Sequence, residues 1–208
     1  MLYSGNSHTV TGNVTVVSSA TINSYTLTAN ANSGTISSTS GWTGTGSSAT
    51  KSLNYGAAYG TLPSVSRTGY TLKGWYTSAT GGEKYNEKIV TNLTSNLNLY
   101  AQWETNAYSF EVVLNGGTKP SGITYPTTVA YNEEVNLGTP TKTGYNFEYW
   151  EITGDGAIKS TSTKVKVGTG NVKVEAHWSP KEYTISFDTA GGTGTVNNKT
   201  VVIPTGFT

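Results

Sequence analysis

Tyr108, Phe110, Val112 and Leu114 fall on every second position, with Ser109 and Glu111 between the first three. Tyr25, Leu27 and Ala29 repeat that spacing near the other end of the chain. A period of two is the mark of a strand with one buried face, because successive side chains point to opposite sides of the backbone. Leu97, Leu99, Ala101 and Trp103 alternate with Asn98, Tyr100 and Gln102. Val172, Val174, Ala176 and Trp178 alternate in the same way with Lys173, Glu175 and His177. Opening and closing strands of this type predict a half-buried antiparallel sheet. Asn115-Gly116-Gly117 and Ala190-Gly191-Gly192 follow opening strands and predict turns reached through positive φ.

These segments recur at a fixed interval. Arg67-Thr68-Gly69-Tyr70-Thr71-Leu72-Lys73-Gly74-Trp75-Tyr76 returns as Lys142-Thr143-Gly144-Tyr145-Asn146-Phe147-Glu148-Tyr149-Trp150-Glu151, an offset of 144 − 69 = 75. The closing strands share that offset, 178 − 103 = 75. The openings Tyr108 and Tyr183 are again 75 apart, whereas Tyr25 and Tyr108 are 83 apart. The first copy therefore carries eight extra residues, and the Gly/Ser/Thr-rich stretch 33–48 predicts a loop that holds them. Thr11-Gly12-Asn13-Val14-Thr15-Val16 resembles the closing strand of an upstream unit, with Ala20 where the tryptophan would stand. The expected organisation is a tail strand at 1–23, repeat units at 24–106 and 107–180, and the start of a further repeat at 181–208. Glu104-Thr105-Asn106 and Ser179-Pro180-Lys181 are the short linkers.

Each unit is expected to hold a three- or four-stranded sheet. Its second strand runs to Tyr55 or Tyr131. Residues 57–62 and 133–137 are the only candidates for a helical turn, stopped near Pro63 and Pro140. The third strand is irregular: alternation sets Tyr70 and Leu72 opposite Trp75. A bulge at Gly74 would return that tryptophan to the core. Tyr149 occupies the glycine's place in the second copy, so the facing of Trp75 and Trp150 stays open. The fold class is thus mainly β to α+β, a tandem of small modules leaning on aromatic area for their cores.

Composition narrows the function. Charged residues make up 12% of the chain, against about 25% in typical domains, and the net charge is +1. No field of that size steers a chain to nucleic acid or to an anionic membrane, and no basic run interleaves with aromatics. Cysteine is absent, which removes disulfides and thiolate metal sites. No apolar window is long enough to span a membrane. Met1-Leu2-Tyr3-Ser4-Gly5 lacks the basic and apolar regions of a signal peptide.

Catalytic, cofactor and metal sites are not expected. His8 and His177 are the only histidines, and His177 reads as a solvated sheet residue beside Glu175. Glu133 and Glu134 are adjacent, so a strand would turn them to opposite faces. Asp155, in Gly154-Asp155-Gly156, reads as a turn, because no further acid follows at calcium-ligand spacing. Gly191-Gly192-Thr193-Gly194 lacks the lysine of a phosphate loop. Glycosylation triplets begin at Asn13, Asn92 and Asn198 and carry little information in a chain so rich in Asn and Thr. Trp42 stands in the inserted loop without a counterpart in the second copy. It either caps its own unit's core or offers an exposed ring to a partner. Trp42, Tyr76 and Tyr149 are the candidate ligand or partner contacts.

Gly69-Tyr70-Thr71-Leu72-Lys73-Gly74-Trp75-Tyr76 followed by Leu99-Tyr100-Ala101-Gln102-Trp103 resembles the Listeria–Bacteroides repeat, the B-repeat type of internalins and other bacterial surface proteins. The resemblance covers residues 25–178 in two copies. The second copy departs from it at Tyr149 and in Glu175-Ala176-His177-Trp178. It implies small β-grasp-like modules strung between a surface anchor and a distal binding domain of a secreted or wall-attached bacterial protein. It implies no catalytic residues. The expected role is therefore a semi-rigid spacer or an adhesion and protein-interaction array. Its partners would be neighbouring repeats and a host or bacterial surface protein or glycan. Carbohydrate binding through exposed aromatics is the alternative. Complementary partial repeats at the two ends also predict strand-edge self-association.

Overall fold

The computed structural model describes residues 11–202 except 14, 16, 18 and 86–94. The closing strand anticipated at 11–16 lies partly outside the described residues, and His8 and Asn92 lie outside them altogether. Among the described residues every regular element is a strand.

In the first unit, β1 (Ser24–Asn30) leads through β2 (Thr35–Ile36) to β3 (Ser48–Asn54), β4 (Val65–Ser66), β5 (Tyr70–Tyr76) and β6 (Leu97–Thr105). The second unit contains β7 (Ala107–Val113), β8 (Thr128–Ala130), β9 (Glu134–Asn136), β10 (Tyr145–Thr153), β11 (Ala157–Thr161), β12 (Lys164–Val167) and β13 (Val172–Pro180). Beyond it, β14 (Glu182–Ile185) and β15 (Lys199–Val202) form a separate antiparallel pair.

The two principal sheets share one topology. Their strand orders are β3-β1-β6-β5 and β8-β7-β13-β10. The two central strands are parallel in each, Leu27 beside Leu97 in one and Phe110 beside Val172 in the other. The outer pairings are antiparallel. The sheet is therefore mixed rather than antiparallel throughout. Period-two alternation reports one buried face but is blind to strand direction, which explains the difference.

Each unit has its own core. Leu27, Leu99, Ala101 and Trp75 are buried in the first, and Phe110, Val174, Ala176 and Trp150 take the corresponding places in the second. Burial of each large apolar side chain contributes roughly 1.5–3 kcal/mol. The bulge anticipated at Gly74 is present, between Leu72 and Gly74 against β6. A matching one lies between Phe147 and Tyr149 against β13. Trp75 and Trp150 accordingly face their cores, 6% and 2% exposed. The unpaired residues are Lys73 and Glu148; Gly74 follows the first at φ 142°, whereas Tyr149 follows the second without a positive φ.

Neither helical candidate is a helix. Residues 57–62 form an irregular segment that buries Tyr59 and Leu62. Residues 133–137 contain β9, whose Val135 and flanking Leu137 are buried while Glu134 and Asn136 face solvent. This alternation suits a strand. β9 pairs with β12, which pairs in turn with β11, and this small sheet brings Val165 and Val167 into the second core. The β11–β12 hairpin was legible in Lys164-Val165-Lys166-Val167 but is not among the strands that the repeat alignment predicts. Seven of the first unit's extra residues lie between β1 and β3. Tyr25 to its partner Leu53 spans 28 positions, while Tyr108 to Val129 spans 21.

Candidate interaction surface

The described residues contain no group of three or more His, Asp or Glu placed to hold a metal ion. Acids and bases instead meet in pairs at the surface. His177 Nε2 lies 2.8 Å from Glu151 Oε2, rather than pairing with its neighbour Glu175. Glu175 takes Lys173 at 3.0 Å, and this hydrogen bond holds the Lys173 ammonium above its usual range. Lys164 donates to Glu134 at 2.9 Å and holds that carboxyl below its usual range, with help from Ser160. Burial pushes the Tyr125 phenol up, and its hydroxyl donates to the Leu137 carbonyl at 2.8 Å. Asp155 sits in the turn before β11.

The three aromatic candidates are not brought together. Trp42 folds back on the first unit, half-buried against its core, and its indole N–H donates to the Thr61 carbonyl at 2.9 Å. Tyr76 ends β5 opposite Tyr100 and is half-buried. Tyr149 lies on the outer face of the second sheet, 48% exposed. Its ring stacks on His177 with centroids 4.6 Å apart and planes 6° from parallel. Tyr149, His177 and Glu151 thus form one strip: an aromatic ring backed by an imidazole that is itself held by a carboxylate.

A second surface arises only where the units meet. β6 passes into β7 through one residue, Asn106. Its N–H donates to the Gly69 carbonyl at 3.0 Å, and its carbonyl accepts from the Tyr131 N–H at 2.8 Å. The Thr71 hydroxyl donates to the Asn106 side-chain oxygen at 2.6 Å. Tyr131, from the loop after β8, reaches back to meet Tyr70 edge-on at 5.9 Å and 72°. Gly69 lies directly beneath that ring, where a Cβ would collide with it. Beside this contact opens a polar cleft of about 450 Å³, lined by Ser33, Thr35, Ser66, Arg67, Tyr131 and Asn132 among others. The Arg67 guanidinium covers the Tyr70 ring at 3.8 Å. Sequence reasoning did not single these residues out. The recurring cation three positions before tyrosine was the available signal, since Lys142 also stands over Tyr145, at 4.3 Å.

Two mixed four-stranded modules joined by single residues define a tandem-repeat protein. The profile of the Listeria-Bacteroides repeat domain matches residues 25–102 and 108–177. The chain belongs to that family. It is 30% identical over 137 residues to Internalin H of Listeria monocytogenes, covering 63% of this chain and 24% of that protein. It is 35% identical over 140 residues to a protein of Evansella cellulosilytica described as a Gly-rich membrane protein, covering 62% of this chain and 16% of that one. The chain thus spans a quarter or less of the length of these relatives. No solved structure matches it. Among the described residues no helix is long and apolar enough to cross a membrane.

Proposed function

We propose that this chain is a non-catalytic, semi-rigid spacer and interaction array, working outside a bacterial cell or attached to its wall. Its units are 24–106 and 107–180, flanked by the tail of one repeat at 1–23 and the start of another at 181–208. Each is β-grasp-like in its strand order, with irregular chain and a short strand, β4 or β9, where a helix would cross the sheet. The observation that carries the spacer reading is the Asn106 junction, where one linking residue is bonded to Gly69 on one side and Tyr131 on the other. A link that short, with its backbone groups paired and two tyrosines in contact beside it, resists the free swivelling of a flexible linker. The bond from the Lys181 N–H to the Gly144 carbonyl, 2.8 Å, extends the same device to the next boundary. Small-angle scattering tests it: one preferred inter-unit geometry is expected, and a freely jointed pair would refute the rigid spacer.

The second reading is carbohydrate binding, favoured by the exposed Tyr149 ring on its His177 backing. One face of that ring is stacked, which leaves the other to lie against a sugar. A glycan array followed by titration of wild type and Tyr149→Ala separates the readings. A further partner surface is the outer edge of β14. In the two four-stranded units the equivalent opening strand takes a parallel closing strand on that side, and in β14 Tyr183 and Ile185 are exposed. We propose that this edge supports strand pairing between chains.

A further inference from the structure

The two strands through which tension would enter and leave each unit are the central parallel pair. A pull applied along the array reaches the first unit at the start of β1 and leaves it at the end of β6. These points lie at opposite ends of the same ladder, because β1 and β6 run side by side in one direction. Tension must therefore slide one strand along the other and load the ladder bonds together. Where a force meets adjacent strand ends, as at the Ser24–Asn54 end of β1 and β3, the bonds open one after another. β7 and β13 reproduce the sliding geometry in the second unit. Asn106 hands the load from β6 directly to β7.

Three side-chain to backbone bonds recur in both units, and all three join these same two strands or their immediate flanks. Asn96 Oδ1 accepts the Thr26 N–H at 2.9 Å, and Asn171 Oδ1 accepts the Ser109 N–H at 3.1 Å. At the far end, Asn32 Nδ2 donates to the Ala101 carbonyl at 2.9 Å and Asn115 Nδ2 to the Ala176 carbonyl at 3.0 Å. The Trp103 indole donates to the Ala31 carbonyl at 3.1 Å, and the Trp178 indole to the Leu114 carbonyl at 3.0 Å. These bonds extend the ladder beyond both ends of its paired residues.

We propose that each repeat is a load-bearing module in which the opening and closing strands form a shear clamp pinned at its ends by Asn96 and Asn32, or by Asn171 and Asn115. The proposal rests on the spacer reading for the source of the load, but its test does not.

Forced rupture reports the barrier along the pulling direction rather than equilibrium stability. The chain has no cysteine, so engineered attachment points are unique. Single-molecule stretching would compare two geometries: the chain held by its termini, and the chain held by its N-terminus and Tyr55→Cys. Tyr55 is 51% exposed and adjoins the end of β3. The first unit is expected to open at a clearly higher force by its termini than by the second route. Asn96→Ala should lower the terminal rupture force of the first unit alone, with the second unit as internal reference. Leu53→Ala, in β3 and outside the load path, should cost as much thermal stability or more while shifting that force less. Equal forces in the two geometries would overturn the clamp. So would rupture forces that simply track melting temperature across the variants. Neither result would touch the scattering test of the spacer, so the two failures are distinguishable.

Discussion

Tyr70 of the first unit and Tyr131 of the second meet edge to face, 5.9 Å between ring centroids, above a glycine that holds the left-handed conformation. Gly69, at φ 78°, gives the chain its turn before β5 and gives Tyr131 its seat. One residue therefore serves the interior of its own unit and the attachment of the next.

Gly69→Ala meets two obstacles. A non-glycine residue in this conformation costs about 1–2 kcal/mol, and the added methyl displaces Tyr131. A lower melting temperature for the first unit and a broadened inter-unit distribution by scattering are expected together. Tyr131→Ala should broaden the distribution with little change in melting, because Tyr131 lies outside both cores.

Trp42→Ala removes a half-buried ring and a hydrogen bond to Thr61. A loss of about 1–3 kcal/mol is expected in the first unit only. Trp150→Ala empties a site at the centre of the second core, where Tyr125 and Phe147 pack edge-on against the ring. Its cost should reach about 3–5 kcal/mol. Denaturant unfolding followed unit by unit checks both.

The two bulges should respond unequally to exchange of the residues that follow them. Tyr149→Gly keeps a backbone that glycine readily adopts and loses only the stack on His177, so a change of about 1 kcal/mol or less is expected. Gly74→Tyr forces a side chain onto φ 142°, with its Cβ 2.6 Å from Lys84 Cε. That substitution should cost about 1–3 kcal/mol from the backbone alone. Thermal melts of the two variants decide the point.

The Glu134–Lys164 pair makes stability depend on acid. The folded-state pKa of Glu134 is depressed, chiefly by the Lys164 hydrogen bond. Its stabilisation is therefore present above the unfolded value, about 4.3, and is lost as pH falls through the folded value. Both groups are well exposed, so the effect is small. The melting difference between wild type and Lys164→Met should shrink on acidification and vanish once Glu134 is protonated. A difference independent of pH would show that the pair contributes nothing through charge.

Much of the fold was legible along the chain because a repeated pattern is a local property. The alternation of Leu97, Leu99, Ala101 and Trp103 marks a buried face wherever it occurs, and the offset of 75 marks a unit. The bulge that turns Trp75 inward could be anticipated from Gly74. Its twin before Tyr149 could not, because Tyr149 follows the unpaired Glu148 without the positive φ that points to glycine. Residues 133–137 were ambiguous for a related reason: a short segment with two buried positions satisfies a helical turn or a strand until a partner is known, and the partner β12 lies some thirty residues on. The aromatic candidates were identified by type alone. Packing then half-buried Trp42 and left Tyr149 on the outer face.

The sequence by itself determined the unit, its period, the strands that open and close it, and the absence of thiol chemistry. All of these follow from which residues stand where along one dimension. Tertiary structure alone decided that opening and closing strands pair in parallel, that four asparagines and two tryptophans pin them together, and that Tyr131 reaches back over Gly69. Those are relations between segments roughly 60–70 positions apart. The hydrogen bonds and ring contacts that make them exist only once the chain has closed.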